Sequence, residues 1–316
     1  MVEPTVRGST VTRVAAIDCG TNSIRLLIAD VSDGRLSDVV RTMTIVRLGE
    51  GIDRTGQFGA AALERTFAAT QAFADLIREH HAERVRFCAT SASRDASNKS
   101  ELIEGVTAIL GVGPDIIPGE EEAALSFAGA TGDLPPDSGP FLVIDIGGGS
   151  TEFVLGTAGV EAAISVDIGC VRMTERHMQG DPPSSAEVTA TINDVDSAIA
   201  RALAVVPAQQ MRRLVAVAGT ATTIAAAALD LQTYQPDRIH GSVIPRADVL
   251  KVRDRFLSMT RAERGALGYM HPGRVDVIGA GAVVLARIME RVDAASVTVS
   301  EHDILDGIAL ALADPR

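Results

Sequence analysis

The chain has no tryptophan, two tyrosines (Tyr234 and Tyr269) and only 3% aromatic residues. A platform for a nucleic base therefore has little to be built from. Lysine is almost missing too. Lys99 and Lys251 are the only two, so nearly all positive charge is arginine. Neither follows a glycine, so no G-x-x-x-x-G-K-[ST] loop exists and P-loop nucleotide chemistry is excluded. The formal net charge of −12 weighs against broad binding to nucleic acid or an anionic membrane. A polyanionic ligand would need a local patch or metal ions. The three cysteines, Cys19, Cys88 and Cys170, are scattered without a C-x-x-C, which excludes a disulfide framework and suits buried thiols in a reducing compartment. No apolar run reaches the roughly 18 residues of a membrane span. The first residues, MVEPTVRGST, lack the apolar centre of a signal peptide, so a cytoplasmic protein is expected.

What is present is organised around Phe141–Gly156, FLVIDIGGGSTEFVLG. Two short apolar runs flank a glycine cluster, the pattern of a β-hairpin. Gly147, Gly148 and Gly149, followed by Ser150 and Thr151, can turn successive N–H groups toward an anion. Asp145 and Glu152 flank this nest, and bare carboxylates repel phosphate. Both charges coexist if a divalent cation lies between them. The plainer alternative is a tight hairpin with a solvated acid at each end. The pattern recurs at Ala15–Val31, where Asp18 precedes Gly20, Thr21, Asn22 and Ser23. Two copies in 316 residues point to two related domains facing one phosphate site.

Other segments add to this set. A strand at Val85–Ala89 runs into Thr90, Ser91, Ser93 and Arg94 at a helix start, a favourable place for anions. Arg94 offers a planar fork for phosphate, or else a surface ion pair. Glu120, Glu121 and Glu122 share the first turn of a helix from Gly119; such acids complement the helix dipole, or one serves as a general base. TGDLPPDSG at 131–139 is the best domain boundary. After a strand at Val215–Ala218, Gly219 and Thr220 open an alanine-rich helix, again as an anion site or a plain N-cap. His240-Gly241 sits in a polar loop with no chemical signature, and a structural role is expected. Val275–Arg291 reads as a small-residue helix.

These motifs carry a resemblance that spans nearly the whole chain. IDCGTNSIRLLI at 17–28, ATSASRDASN at 89–98, IPGEEEA at 117–123, VIDIGGGSTEF at 143–153 and VAGTATT at 217–223 resemble the exopolyphosphatase/guanosine pentaphosphate phosphohydrolase (Ppx/GppA) family, within the actin-like ATPase group. The duplicated D-x-G loop marks the larger group; the 89–98 and 117–123 segments narrow it.

The resemblance implies an α/β fold of two ribonuclease H-like, actin-like domains around a cleft. Residues 1–135 would form the first domain, completed by a C-terminal helix at 303–316, and 136–302 the second. The family's extra C-terminal helical domain is expected to be missing. The implied reaction is hydrolysis of the terminal phosphoanhydride of polyphosphate or of pppGpp. The family's catalytic glutamate matches Glu122, although Glu121 next to it leaves the register open by one. Arg94 and Glu152 would join it in catalysis. Phosphate would be held by Gly20, Thr21, Asn22, Ser23, Ser93, Gly147, Gly148, Gly149, Ser150, Thr151, Gly219 and Thr220. Mg²⁺ or Mn²⁺ would lie near Asp18 and Asp145. Arginines 25, 41, 47, 94 and 172 are candidates for a local basic patch. With no aromatic cluster evident around either tyrosine, short polyphosphate chains are the expected substrate, pppGpp the alternative. A second copy of the chain is the one protein partner considered. An actin-like kinase lacks a candidate sugar pocket, and a non-catalytic polyphosphate or alarmone sensor is the rival from another class.

Overall fold

The computed structural model describes residues 11–313; expectations for 1–10 and 314–316 fall outside them. The first sheet contains β1 (Thr12–Cys19), β2 (Ser23–Ser32), β3 (Arg35–Ile45), β4 (Arg84–Ala89) and β5 (Asp115–Ile116), in the order β3-β2-β1-β4-β5. β1, β2 and β3 form an antiparallel meander, and β4 and β5 extend it in parallel. The second sheet contains β6 (Phe141–Ile146), β7 (Thr151–Gly156), β8 (Val160–Val166), β9 (Arg213–Val217), β10 (Val243–Pro245) and β11 (Ser296–Val299), in the order β10-β11-β9-β6-β7-β8. Read from its other edge, β8-β7-β6-β9-β11 repeats the first sheet, and β10 is an addition. The duplication read from two D-x-G loops thus extends to the topology, and the fold is a pair of ribonuclease H-like, actin-like domains.

The central strands are apolar without interruption because both of their faces are covered. Along β1, Ala15, Ile17 and Cys19 face one core, shared with Leu63 and Phe73 of the helix Ala60–Glu79 and Leu102 of the helix Lys99–Leu110. Val14 and Ala16, on the opposite face, meet Ile304, Leu305 and Ile308 of the helix Ile304–Ala313. Strand β6 divides likewise. Leu142, Ile144 and Ile146 join the large second core, whereas Phe141 and Val143 pack on Ala123, Phe127 and Ala130. Those last three belong to the helix Gly119–Thr131. A boundary at 135 assigns that helix to the first domain, yet its apolar face is buried on the second sheet.

The helices Gly119–Thr131 and Ile304–Ala313 cross between the sheets, almost backbone to backbone. A Cβ on Gly129 would lie 1.8 Å from the Asp303 carbonyl oxygen, and one on Gly307 would lie 2.0 Å from that of Leu125. Only glycine allows this approach. The two connections between the domains, 132–140 outward and 300–303 back, leave from this crossing. The segment 246–258, which carries no motif, forms the helix Arg246–Ser258 and buries Val249, Val252 and Phe256.

Candidate active site

Each D-x-G motif is a hairpin turn, and the two turns are built alike. The Gly20 N–H donates to the Ser23 carbonyl at 2.9 Å, and the Gly147 N–H to that of Ser150 at 3.0 Å. Asp18 pairs across its hairpin with Arg25, and Asp145 with Glu152. The carbonyls of the turns face away from the cleft. Thr21 O accepts from Gly49, Asn22 O from Val46 and Arg47, Gly148 O from Val171 and Arg172, and Gly149 O from Gly169. The N–H groups of Thr21, Asn22, Gly148, Gly149 and Ser150 have no backbone partner among the described residues. Donors are thus left for an anion on both sides of the cleft. The turns also touch. A Cβ on Gly149 would lie 2.5 Å from Ser91 Oγ and 2.8 Å from Thr21 Oγ1.

Between them lies a cavity of about 100 Å³. It is lined by Asp18, Gly20, Thr21, Asn22 and Ser23 from the first turn, and by Asp145 and Gly147–Ser150 from the second. Thr90, Ser91, Glu122, Gly219 and Thr220 complete the expected part of its wall. Thr21 Oγ1 is buried without a partner.

Four expected residues, Ser93, Arg94, Thr151 and Glu152, do not line this cavity. Ser93, the third residue of a helix of only five, is fully buried with its Oγ unpaired and does not line the cavity, whereas Thr90 and Ser91 do. Thr151 is also fully buried and donates to the Ile168 carbonyl at 2.9 Å, a bond inside the second domain. Arg94 does not line the cavity. Its Nη1 donates to Glu122 Oε2 at 2.6 Å and to the Ile117 carbonyl at 3.1 Å, so it holds the glutamate.

The helix phase separates the three acids. Glu122 is 8% exposed and lines the cavity, whereas Glu121 accepts from Arg86 on the outer side at 2.5 Å. Burial raises the pKa of Glu122, the Arg94 guanidinium partly opposes this, and the Asp18 charge adds to it. A carboxylate so placed is a better base than a solvated one.

Glu152 and Asp145 lie beside it. Glu152 Oε1 accepts from Ser150 Oγ at 2.7 Å and Ser165 Oγ at 2.6 Å, while its Oε2 is buried without a partner. Burial, then the charges of Glu122 and Asp145, push the pKa of Glu152 far up. Asp145 accepts from Ser126 Oγ at 2.5 Å, and burial together with Asp303 raises it to about 7. Asp18 differs, because Arg25 donates to its Oδ2 through Nε and Nη2 at 2.9 and 2.7 Å. A group of buried acids that repel one another, with one oxygen orphaned, fits a hard divalent cation. Its all-oxygen donor set suits Mg²⁺ or Mn²⁺. Of these acids, Asp145 and Glu152 would be the ones free to hold such an ion, since Arg25 already neutralises Asp18.

The five arginines expected to form a basic patch are all engaged in ion pairs. Arg25 pairs with Asp18 and Asp303, Arg41 with Asp38 and Asp306, Arg47 with Asp276, Arg94 with Glu122, and Arg172 with Asp53 and Asp95. The Arg172 pairs cross the cleft and tie the helix Cys170–His177 to the first domain. The guanidinium in the cavity wall that lacks a carboxylate partner among the described residues is Arg274, a residue the motifs do not mark. It lies over Gly219 and donates to Thr223 Oγ1 at 3.1 Å. A second cavity of about 490 Å³ adjoins the first and shares Arg25, Met43, Ala218, Gly219 and Arg274 with it. Tyr234 and Tyr269, far from any motif, both line this second space.

Two actin-like domains that close anion-binding turns over buried acids and a glutamate define a phosphate-transfer or phosphate-release enzyme of the two-domain type. The chain belongs to the Ppx/GppA phosphatase family, whose model matches residues 27–314. It is 51% identical over 315 residues to "Exopolyphosphatase 2" of Mycobacterium tuberculosis, covering 96% of this chain and 99% of that protein. It is 28% identical to a "Guanosine-5'-triphosphate,3'-diphosphate pyrophosphatase" of Vibrio atlanticus, covering 95% of this chain and 59% of that one. The crystal structure of an exopolyphosphatase-like protein superposes with a TM-score of 0.92 at 44% identity, covering 95% of this chain and 97% of the other. No described helix is long and apolar enough to cross a membrane.

Proposed function

We propose that this protein is an exopolyphosphatase that hydrolyses the terminal phosphoanhydride of inorganic polyphosphate and releases orthophosphate, with a preference for short chains. The observation that carries this reading is the pair of turns whose N–H groups are free and whose carbonyls are not, closed over Glu122. The terminal phosphoryl group would lie between them, held by Thr21, Asn22, Gly148, Gly149 and Ser150. Glu122, fixed by Arg94, would take a proton from the attacking water. The water oxygen bonds to the terminal phosphorus as the bridging P–O bond breaks, and the shortened chain leaves with the bridging oxygen. A divalent cation at Asp145 and Glu152, when bound, would neutralise charge on the phosphoryl oxygens. Arg274 would meet the next phosphate, on the side of the second cavity.

A second reading, hydrolysis of pppGpp, is favoured by one specific observation. Tyr234 and Tyr269 line one cavity beside Arg274. That removes the argument that neither tyrosine belongs to a cluster. The test is orthophosphate release from polyphosphate of several lengths, pppGpp and ATP at equal concentrations of terminal phosphate. The expected order of kcat/KM is short polyphosphate, then pppGpp, with ATP far below. A preference for pppGpp over every chain length would reverse the choice, and no release from any of them would favour a sensor.

A further inference from the structure

His240-Gly241 takes no part in the chemistry above, yet the fold gives His240 a defined neighbourhood. Its turn is fastened to the end of β11. The Gly241 N–H donates to the Val299 carbonyl at 2.8 Å, and the Val299 N–H to that of Ser242 at 2.9 Å. The Glu301 N–H donates to His240 Nδ1 at 3.2 Å. His302, one residue further on, is held by a bond from its own N–H to Ser300 Oγ at 3.0 Å. The two imidazole rings lie 4.6 Å apart between centres. Asp133, just past the helix Gly119–Thr131, brings Oδ2 to 2.7 Å from His302 Nδ1. One ligand atom from each of the three lies within 4.8 Å of the other two.

A surface His–Asp bond would account for Asp133 and His302 but not for the second imidazole beside them. We propose that Asp133, His240 and His302 bind a divalent transition-metal ion of the zinc type where the two interdomain connections meet. Two imidazoles and a carboxylate are an ordinary zinc set, with water in the fourth position. The same nitrogens disfavour Mg²⁺, so this site and the acids of the cleft select different metals. Zinc bonds of about 2.0–2.1 Å bring tetrahedral ligands to roughly 3.4 Å from one another, so the widest gap must shorten. Asp133, with 64% of its side chain exposed, is free to make that movement. If the ion takes His240 Nδ1, it replaces the long bond from Glu301.

The position gives the ion a consequence. Asp133 lies on the outward connection, and His302 on the return, next to Asp303, which pairs with Arg25 in the cleft. A bound ion would therefore tie the two interdomain connections together beside the helix crossing.

The test is calorimetric titration of tag-free, chelator-stripped protein with Zn²⁺ in excess Mg²⁺, with melting followed in parallel. One zinc per chain is expected, with Tm raised by roughly 5 °C at about a hundredfold excess over Kd. Asp133→Asn and His302→Gln should each weaken binding by roughly tenfold or more. Asp133 is exposed, so its variant keeps the test open should His302→Gln fold poorly. Glu152→Gln should leave zinc binding unchanged. No zinc binding by the wild type, or wild-type affinity in both ligand variants, overturns the proposal. So does a zinc effect that Glu152→Gln removes, since the ion would then lie in the cleft.

Discussion

Replacing Glu122 with glutamine keeps the shape of the side chain and removes its capacity to take a proton. A positioned general base contributes about 10²–10⁴-fold, or roughly 2.7–5.4 kcal/mol of barrier at 1.36 kcal/mol per decade. Turnover should fall by that factor while KM moves little, because the phosphate donors lie on the two turns and not on Glu122. The structure also sets the expected stability. Burial disfavours the charged form of Glu122, so a neutral side chain relieves that cost. Arg94 loses the charge of its partner but can still donate to the glutamine amide oxygen, it keeps the Ile117 carbonyl, and its side chain is 23% exposed. The net change should stay within about 1 kcal/mol. The assay is steady-state phosphate release beside thermal melting, with Glu121→Gln as the control. Glu121 faces Arg86 on the outside, so its variant should keep near-normal turnover. Turnover of Glu122→Gln above a tenth of wild type, in a protein that melts normally, would refute the assignment. Loss in Glu121→Gln instead would show that the register is off by one.

Chelation should abolish activity and Mg²⁺ or Mn²⁺ should restore it, with Glu152→Gln weakening the metal response more than Asp18→Asn, because Arg25 already engages Asp18; full turnover in protein shown to be metal-free would remove the cation. Arg274→Gln should lower kcat/KM by about 10–100-fold, the worth of one or two charge-assisted hydrogen bonds, and unchanged kinetics would leave Arg274 a packing residue. Gly307→Ala should destabilise the fold by about 1–3 kcal/mol or more, since a Cβ there meets a backbone oxygen that cannot turn aside; an unchanged melting curve would show that the helix crossing is loose.

The parts of the site that the sequence made readable are those whose geometry is local. A hairpin turn with glycine and hydroxyls is set within ten residues, so both D-x-G loops and the strands around them were found at nearly their observed bounds. Glu122 could be chosen because helical phase is local too. Ser93 was misplaced for a related reason. Its helix, Ser91–Asp95, is so short that one residue's shift carries a side chain from the cleft into the core. Partners distant in sequence left no signal. Arg25 meets Asp303 across 278 residues, and Arg172 meets Asp53 across 119, so the predicted basic patch is a set of ion pairs. Arg274 belongs to a short turn, Pro272–Arg274, with no motif around it, and only its place over Gly219 marks it. The tyrosines converge only once the second domain has folded.

Those distant partners bear on the length of chain the enzyme should prefer. The first cavity, about 100 Å³, is much smaller than the second, about 490 Å³, and would take the terminal phosphoryl group. The rest of the substrate must enter the second cavity past Arg274. There the wall carries Arg25 and Arg41, both already paired, and also Glu301 and Asp303. A phosphate chain meets one uncommitted guanidinium and then acids, so added phosphates gain little after the first few. For polyphosphate, kcat/KM should therefore rise with the first few phosphates and then level off, measured at equal concentrations of chain ends. The Arg274→Gln variant should flatten even that early rise, because it removes the one contact that a second phosphate gains. A steady increase toward very long chains would refute this account while leaving Glu122 and the two turns in place. It would require a binding track beyond the second cavity, formed by surface that the paired arginines of this chain do not supply.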